Sequence, residues 1–199
     1  EKEKYGENIY KYMDDVVQSI PPGSDHLICT PWMLGERCPV STTTTRATLF
    51  NMTMVHTREH LMRSVYEGIG YNLRWILENY QADYGFACDN FSIIRGGALD
   101  NGWMQIIADI TGKSFSIVKD PRNAGAVGAA VVALIGLGEL SGFGHAKEFV
   151  QIDKVYQPDR NNKAVYDQLF LTYKEVYKSL EQAYKFANGE RFRHEENGQ

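Results

Sequence analysis

Apolar residues recur at helical spacing in three long segments, and each segment predicts an amphipathic helix. The first helix ends at a Pro-Pro-Gly sequence, the second begins behind Thr57, and the last covers about residues 163–186. The predicted buried faces are Ile9, Met13, Val16, Val17 and Ile20 in the first helix, Leu61, Val65, Ile69, Leu73, Ile76 and Leu77 in the second, and Tyr166, Leu169, Phe170, Tyr173, Val176, Tyr177 and Leu180 in the last.

Short strands are predicted between these helices, at residues 26–30, 47–52, 91–95 and 114–118. A helix over 102–111, with Gly112 as its C-cap, separates the last two strands. Strand, helix and strand in so short a span form a crossover unit, so the two strands should be parallel and joined with a right-handed connection. Residues 123–137, dense in Ala and Gly, predict one more helix, which we expect to be buried against the sheet. No strand is predicted after it.

Composition favours a folded, cytoplasmic protein. Of 199 residues, 43% are hydrophobic and 23% are charged, which suits one domain with a core and a short polar tail at 191–199. The net charge of -4 gives no attraction for nucleic acid or anionic lipid, so neither is an expected partner. Three cysteines without a close pair indicate a reducing compartment. We expect no signal peptide and no membrane span.

The segment 91–112 carries the most informative chemistry. A predicted strand runs into Gly96 and Gly97, and a helix begins almost at once. Glycine allows positive φ and a close approach of a ligand to the backbone, and the free N–H groups at a helix start favour a phosphate. Asp100 or Asn101 can cap this helix, and an uncapped amide there can bond a purine edge. A tight turn without any ligand remains the alternative.

Several segments, in order, resemble motifs of the FGGY carbohydrate kinases, the family of xylulokinase, gluconokinase and glycerol kinase. The resemblance extends over nearly the whole chain. It rests on HLICTPWMLGERCP (26–39), which is similar to "GL.FLPYL.GERTP", on HTREHLMRSVYEGIGYNLR (56–74), similar to "HTR.HL.RAVLEG.AF.LR", on IIRGGALDNGWMQIIADITG (93–112), similar to "I..GGGA.S..W.Q..ADI.G", and on AGAVGAAVVALIGLG (124–138), similar to "A.ALGAA.LA..G.G".

The resemblance implies an α/β fold, namely a ribonuclease-H-like, actin-like carboxyl-terminal domain with crossover helices on a mixed sheet. Residues 1–190 would form that domain without its first strands. It would close over ATP and Mg²⁺ against an amino-terminal kinase domain of the same polypeptide, and a homodimer is left open. The implied reaction transfers a phosphoryl group to a hydroxyl of xylulose, a related ketose or a sugar acid. The family's catalytic aspartate and phosphate loops match no segment here, so we expect no catalytic residue in this chain and no activity from it alone.

The resemblance also implies which residues contact the nucleotide. Gly96, Gly97 and Ala98 would lie along the ribose and phosphates, Asn101 near the adenine, and Gln105 one turn further along the helix. Three positions depart from the family motif, Arg95, Leu99 and Asp100. These departures keep a second interpretation open, a non-catalytic nucleotide-binding or scaffold relative with a degenerate glycine-rich loop.

Two other groups of residues have candidate roles. Glu36 and Arg37, in the Gly-Glu-Arg motif, are expected to form an ion pair that holds a loop near the interdomain cleft, and direct contact with the substrate is the alternative. His56 and His60 have a spacing that can hold a metal on one helix face. A third ligand is missing from the pattern, so no metal site is predicted there.

The glycine turn yields the first testable prediction. Gly97→Val adds a branched side chain where the backbone is expected to approach ATP, so the KM for ATP of the full-length protein should rise strongly. Steady-state kinetics with varied ATP measure this effect. An unchanged KM would remove Gly97 from the nucleotide site.

Overall fold

The computed structural model describes residues 9–85, 87–94 and 100–189. The helices are α1 (Ile9–Gln18), α2 (Arg58–Tyr84), α3 (Asn101–Thr111), α4 (Ala124–Gly136) and α5 (Lys163–Asn188). The strands are β1 (Ile28–Thr30), β2 (Thr48–Phe50), β3 (Asn90–Ile93), β4 (Ser114–Val118) and β5 (Ile152–Tyr156). Short 3-10 helices cover Ser24–His26, Phe143–Glu148 and Arg160–Asn162. Thr57 is the N-cap of α2, and Gly112, with φ 66°, is the C-cap of α3, as predicted.

The larger sheet has the order β3-β4-β5 and is mixed. Strands β3 and β4 are parallel, with Phe91 opposite Phe115, and α3 forms the predicted crossover between them. Strand β5 is antiparallel to β4 and was not predicted from the sequence. Of its residues only Tyr156 is buried, so β5 lacks the alternation that marks a half-buried strand. Strands β1 and β2 form a separate antiparallel pair.

Two apolar clusters hold these elements together. The first joins α1, α2, α3, α5 and β1 and is rich in aromatic rings, namely Trp32, Tyr71, Tyr166, Phe170, Tyr173 and Tyr177. The second lies between α3 and one face of the larger sheet and contains Met104, Ile107, Phe115, Ile117 and Tyr156. The predicted polar tail at 191–199 lies outside the described residues.

A close approach of α2 to β1 depends on Gly68. A Cβ atom at this position would lie 2.1 Å from the carbonyl oxygen of Cys29. Only glycine therefore permits the observed separation of helix and strand.

A buried ion pair connects α2 with the chain before β1. The Glu67 carboxylate, on a residue that is 1% exposed, accepts hydrogen bonds from Arg63 Nε at 2.7 Å, the Tyr166 hydroxyl at 3.0 Å and the Gly23 N–H at 2.8 Å. It also accepts one from the Ser24 hydroxyl at 2.7 Å. The φ angles of Gly23 and Ser24 are 88° and 49°. Glu67 thus stabilises a left-handed backbone turn that non-glycine residues seldom adopt.

Helix α4 differs from its expected environment. We expected residues 123–137 to be buried, but Val131 is the only residue of α4 that is buried, and Val132 is 55% exposed. A Cβ atom added at Gly125 or Gly128 would meet nothing within 4 Å. The apolar composition was identified correctly, but the described residues supply no second surface to cover it. No described helix combines the length and apolar character that crossing a membrane requires.

The Glu67 network yields a prediction for stability. Glu67→Ala leaves the Arg63 guanidinium buried without its counter-charge, so the free energy of unfolding should fall by about 3–5 kcal/mol. Glu78→Ala is the matched control on the same helix, since Glu78 forms partly exposed ion pairs with Arg74 and Lys174 and should contribute at most about 1 kcal/mol. Urea unfolding followed by circular dichroism compares the two variants. Equal losses would contradict the central role of Glu67.

Candidate functional site

The structure describes both flanks of the glycine turn. Gly96, Gly97 and Ala98 lie outside the described residues, together with Arg95 and Leu99. Strand β3 leads into this segment and α3 follows it. The geometry of the candidate site is therefore defined by the end of β3, the start of α3 and the elements that pack beside them.

Two carboxylates occupy the start of α3. Asp100 is the N-cap and accepts a hydrogen bond from the Trp103 N–H at 2.9 Å, while Asp14 of α1 accepts one from the Gly102 N–H. The Tyr66 hydroxyl donates to Asp100 at 2.8 Å. This arrangement disfavours a phosphate at the Gly102 and Trp103 N–H groups, while the expected phosphate contacts of Gly96, Gly97 and Ala98 stay a prediction. The backbone donors already have anionic partners, and the two carboxylates would repel a phosphate.

This arrangement raises the pKa of the Asp100 carboxyl. The residue is 3% exposed, and burial raises its pKa above the usual value. The nearby Asp14 carboxylate raises the pKa further, whereas the hydrogen bonds from Trp103 and Tyr66 act in the opposite direction. Two acidic groups at one helix start make this a negatively charged corner of the site.

The Asn101 side chain is engaged at both ends of its amide. Its Oδ1 atom accepts hydrogen bonds from Lys154 Nζ at 2.8 Å and the Tyr156 hydroxyl at 2.5 Å, and its Nδ2 atom donates to Asp14 at 3.3 Å. Asp100 occupies the N-cap position of α3, so the side-chain amide of Asn101 does not cap the helix. For Asn101 to bond an adenine edge, it would exchange one of these internal hydrogen bonds for the base.

Gln105 lies one turn further along α3 and shares a cleft with Asn101. The Gln105 amide donates to Asp109 at 2.7 Å and to the Gln157 carbonyl at 2.8 Å. The cleft has a volume of about 700 Å³ and lies between α3 and the end of α1. The structure thus brings Asn101 and Gln105 together, as their spacing on one helix requires. Neither Glu36 nor Arg37 lines this cleft.

A second cavity, of about 300 Å³, lies at the carboxyl ends of β3 and β4. Its apolar wall includes Ile94, Val118 and Val127, and its polar lining includes Lys119 and Asn123. Ile94 is the last described residue before Gly96 and Gly97 in the sequence. Sequence reasoning missed Lys119 and Asn123. Both residues follow the end of β4, just as the glycine turn follows the end of the neighbouring strand β3 in the sequence. This equivalent position was the signal that could have identified them.

The expected ion pair between Glu36 and Arg37 is not formed. The Glu36 carboxylate instead accepts hydrogen bonds from the Arg37 N–H at 2.8 Å and from Asn72 Nδ2 at 3.2 Å. Arg37 is exposed, and no ion pair of its guanidinium occurs within the described part of the chain.

The two histidines have structural partners rather than a shared metal. His60 Nδ1 accepts a hydrogen bond from the Thr57 N–H at 3.1 Å, and His56 Nδ1 accepts one from the Thr53 N–H at 2.9 Å. Within residues 9–85, 87–94 and 100–189 no group of His, Cys, Asp and Glu side chains is arranged to hold a metal ion.

Comparison with known proteins gives consistent matches. The model of the FGGY family of carbohydrate kinases, C-terminal domain, matches residues 7–137. A xylulose kinase of Bacillus subtilis is 32% identical over 163 residues, which are 81% of this chain and 32% of that protein. A gluconokinase of the same species is 25% identical over 181 residues, 91% of this chain and 35% of that protein.

Solved structures show the same relationship. The xylulose kinase from Rhodospirillum rubrum matches with a TM-score of 0.77 and 30% identity, over 90% of this chain and 36% of that one. The gluconate kinase from Lactobacillus acidophilus matches with a TM-score of 0.79 and 28% identity, over 87% and 35%. The predicted actin-like α/β fold is confirmed.

The chain spans about a third of the length of these relatives. Its match to the family model covers the glycine turn, α3 and α4 together. From the ordered motifs, the mixed sheet with its crossover and these matches, we conclude that the chain belongs to the FGGY family of carbohydrate kinases, as its carboxyl-terminal domain.

Proposed function

We propose that this chain supplies the adenosine-side wall of the nucleotide site in an ATP-dependent sugar kinase. The observation that carries the proposal is the cavity at the carboxyl ends of β3 and β4, beside the entry to Gly96 and Gly97. The proposed substrate is xylulose, a related ketose or a sugar acid, because the relatives carry the names xylulose kinase, gluconokinase and ribulokinase.

The cavity suits an adenosine group in position and lining. In open α/β sheets, ligands bind outside the carboxyl ends of the parallel strands. The apolar side chains of Ile94, Val118 and Val127 can cover the faces of a base, while Lys119 and Asn123 offer polar groups to a ribose. Gly96, Gly97 and Ala98 would complete the site from the adjoining turn. Asn101 and Gln105 line the separate cleft between α3 and the end of α1, so they do not belong to this cavity, and their contact with the base stays a prediction.

The charges at α3 indicate how the nucleotide is oriented. Since Asp14 and Asp100 hold the first N–H groups of α3, the phosphates of ATP would extend away from this helix start. Mg²⁺ in such a kinase neutralises phosphate charge during transfer. Which residues hold it is left open by this proposal.

The partner of this surface would be the amino-terminal kinase domain of the same polypeptide. Strand β3 has a pairing partner on one side only among the described strands. An apolar groove of about 480 Å³ lies beside it, lined in part by Ile69, Leu73 and Ile93, and most of α4 is not buried. The loop of Glu36 and Arg37 would face the cleft between the two domains. The domain boundaries at 1–190, the cytoplasmic location and a homodimer remain predictions.

A second candidate function has one observation in its favour. The carboxylates of Asp14 and Asp100 beside the glycine turn would weaken the binding of a polyanion. A nucleotide-sensing or scaffold relative with a degenerate glycine-rich loop would tolerate such a change. The two candidates differ in whether the terminal phosphate of ATP is ever transferred.

The kinase assignment predicts transfer by the full-length protein and none by this chain alone. A panel of ketoses and sugar acids, assayed for ADP release and for the phosphorylated sugar, should identify one preferred acceptor. The isolated chain should show no turnover, because positioning and charge neutralisation of the phosphates need the missing domain. ATP binding without transfer to any sugar would favour the scaffold candidate, and turnover by the isolated chain would contradict the division of roles.

The adenosine cavity yields a separate prediction. Val127→Trp fills the cavity, and a loss of about 1–3 kcal/mol in binding corresponds to a rise of about 5- to 150-fold in the KM for ATP. The KM for the sugar should change little. Leu171→Trp, at an exposed position of α5, is the control for added bulk. Equal ATP kinetics in both variants would place the adenosine elsewhere.

A further inference from the structure

The side chain of Asn72, in the middle of α2, joins the Gly-Glu-Arg motif to the aromatic core. Its Nδ2 atom donates to the Glu36 carboxylate at 3.2 Å and to the Cys38 carbonyl at 3.3 Å. Its Oδ1 atom accepts from Trp32 Nε1 at 3.1 Å and from the Tyr173 hydroxyl at 3.5 Å. A single amide therefore links the loop that precedes Pro39 to α2, β1 and α5.

The chemistry of the partners determines the orientation of this amide. The indole of Trp32 can only donate, and the carboxylate of Glu36 and the carbonyl of Cys38 can only accept. The amide oxygen must consequently face Trp32, and the amide nitrogen must face the loop. Neither Asp nor Leu at position 72 can form both the donated and the accepted hydrogen bonds, since Asp lacks the donors and Leu lacks donors and acceptors.

The platform under Asn72 is rigid. Trp32 packs edge-on against Tyr173 and Tyr177, with ring centroids 5.3 Å apart in both pairs. The far side of the loop is held as well, because the Gly35 N–H donates to the Thr45 carbonyl at 3.2 Å. Asn188, the last residue of α5, donates to the Thr44 carbonyl at 2.9 Å. The loop is therefore ordered from both sides before any ligand arrives.

The hydrogen bonds that order this loop leave the Arg37 guanidinium without a counter-charge from Glu36. Glu36 uses its carboxylate on the Arg37 N–H and on Asn72, so it does not neutralise the Arg37 guanidinium. That guanidinium is exposed and has no ion pair among the described residues. An unpaired guanidinium on a braced loop is suited to bind a carboxylate or a phosphoryl group through paired hydrogen bonds.

We propose that Asn72 is a positioning residue that, through Glu36 and Cys38, fixes Arg37 to bind an anionic group in the cleft of the kinase. The inference rests on the proposed function and adds to it the role of Arg37 and the residue that sets its position. The anionic oxygens belong either to the phosphoryl group in transfer or to the carboxylate of a sugar acid. Both present the same fork-shaped acceptor to a guanidinium.

The test compares variants of the full-length protein. Arg37→Ala should lower kcat/KM about 10- to 100-fold, the range expected for a lost charge-assisted hydrogen bond. Asn72→Leu and Asn72→Asp should each lower it about tenfold or more, with Asp failing although it keeps the bonds from Trp32 and Tyr173. Asn79→Leu, the same change two turns further along α2, is the control and should be silent, because no hydrogen bond of the Asn79 side chain occurs among the described residues.

A double-mutant cycle separates positioning from general stability. If Asn72 acts through Arg37, Asn72→Asp should have little further effect on kcat/KM in the Arg37→Ala background. Additive losses would overturn the proposal, and so would wild-type kinetics for Asn72→Asp. Neutral ketoses and sugar acids tested in parallel distinguish the two anions: a loss in kcat with both substrates identifies the phosphoryl group, and a rise in KM confined to sugar acids identifies the carboxylate.

A second measurement does not depend on catalysis. Trypsin cleaves after arginine, so release of the loop in Asn72→Asp should speed cleavage after Arg37 about tenfold relative to Asn79→Leu, as followed by mass spectrometry. Unchanged cleavage would overturn the positioning role even if the kinase is active. If Asn72→Asp speeds cleavage but the wild-type protein phosphorylates no sugar, the role of Asn72 in holding the loop is supported and the proposed function is refuted.

Discussion

The buried carboxylate of Glu67 is the constraint on which the architecture depends. It compensates the Arg63 guanidinium and at the same time bonds the backbone of Gly23 and the hydroxyls of Ser24 and Tyr166. The contacts come from α2, from the turn before β1 and from α5, elements that are distant in sequence. Because a buried charge without partners is costly, these elements are stable only in the arrangement that satisfies it. The left-handed turn at Gly23 and Ser24 follows from this requirement.

Much of this fold was predictable because its signals are local. Helix spacing located α1, α2, α3 and α5, and the glycine at 112 and the threonine at 57 marked helix ends through their own backbone preferences. Strand β5 was missed because four of its five residues are exposed, so tertiary pairing with β4 defines it rather than a sequence pattern. The burial of α4 was predicted wrongly for a related reason. Apolar composition reports a tendency to be covered, and the covering surface is not among the described residues.

The site shows the same division between local and distant information. The helix start at α3 and the shared face of Asn101 and Gln105 follow from short-range spacing. The carboxylate of Asp14, however, reaches Gly102 from 88 residues away in sequence, and no local pattern announces that contact. Likewise, Asn72 replaces Arg37 as the partner of Glu36 across a separation of 36 residues. Sequence reasoning can assign a donor or an acceptor, but competition among distant partners decides which bonds form.

The distribution of charge explains why such a domain would depend on a partner for chemistry. The chain carries a net charge of -4, and the N–H groups of Gly102 and Trp103 at the start of α3 are occupied by its own carboxylates. Phosphoryl transfer requires positive charge around the phosphates, since the reacting oxygens repel one another and any nearby acid. The described residues therefore suit the uncharged end of a nucleotide better than its charged end. In the proposed kinase such a domain would contribute contacts to the adenosine, and Arg37 would be its own cationic group for an anionic substrate, while the remaining neutralisation of the phosphates would come from the surface that closes against it.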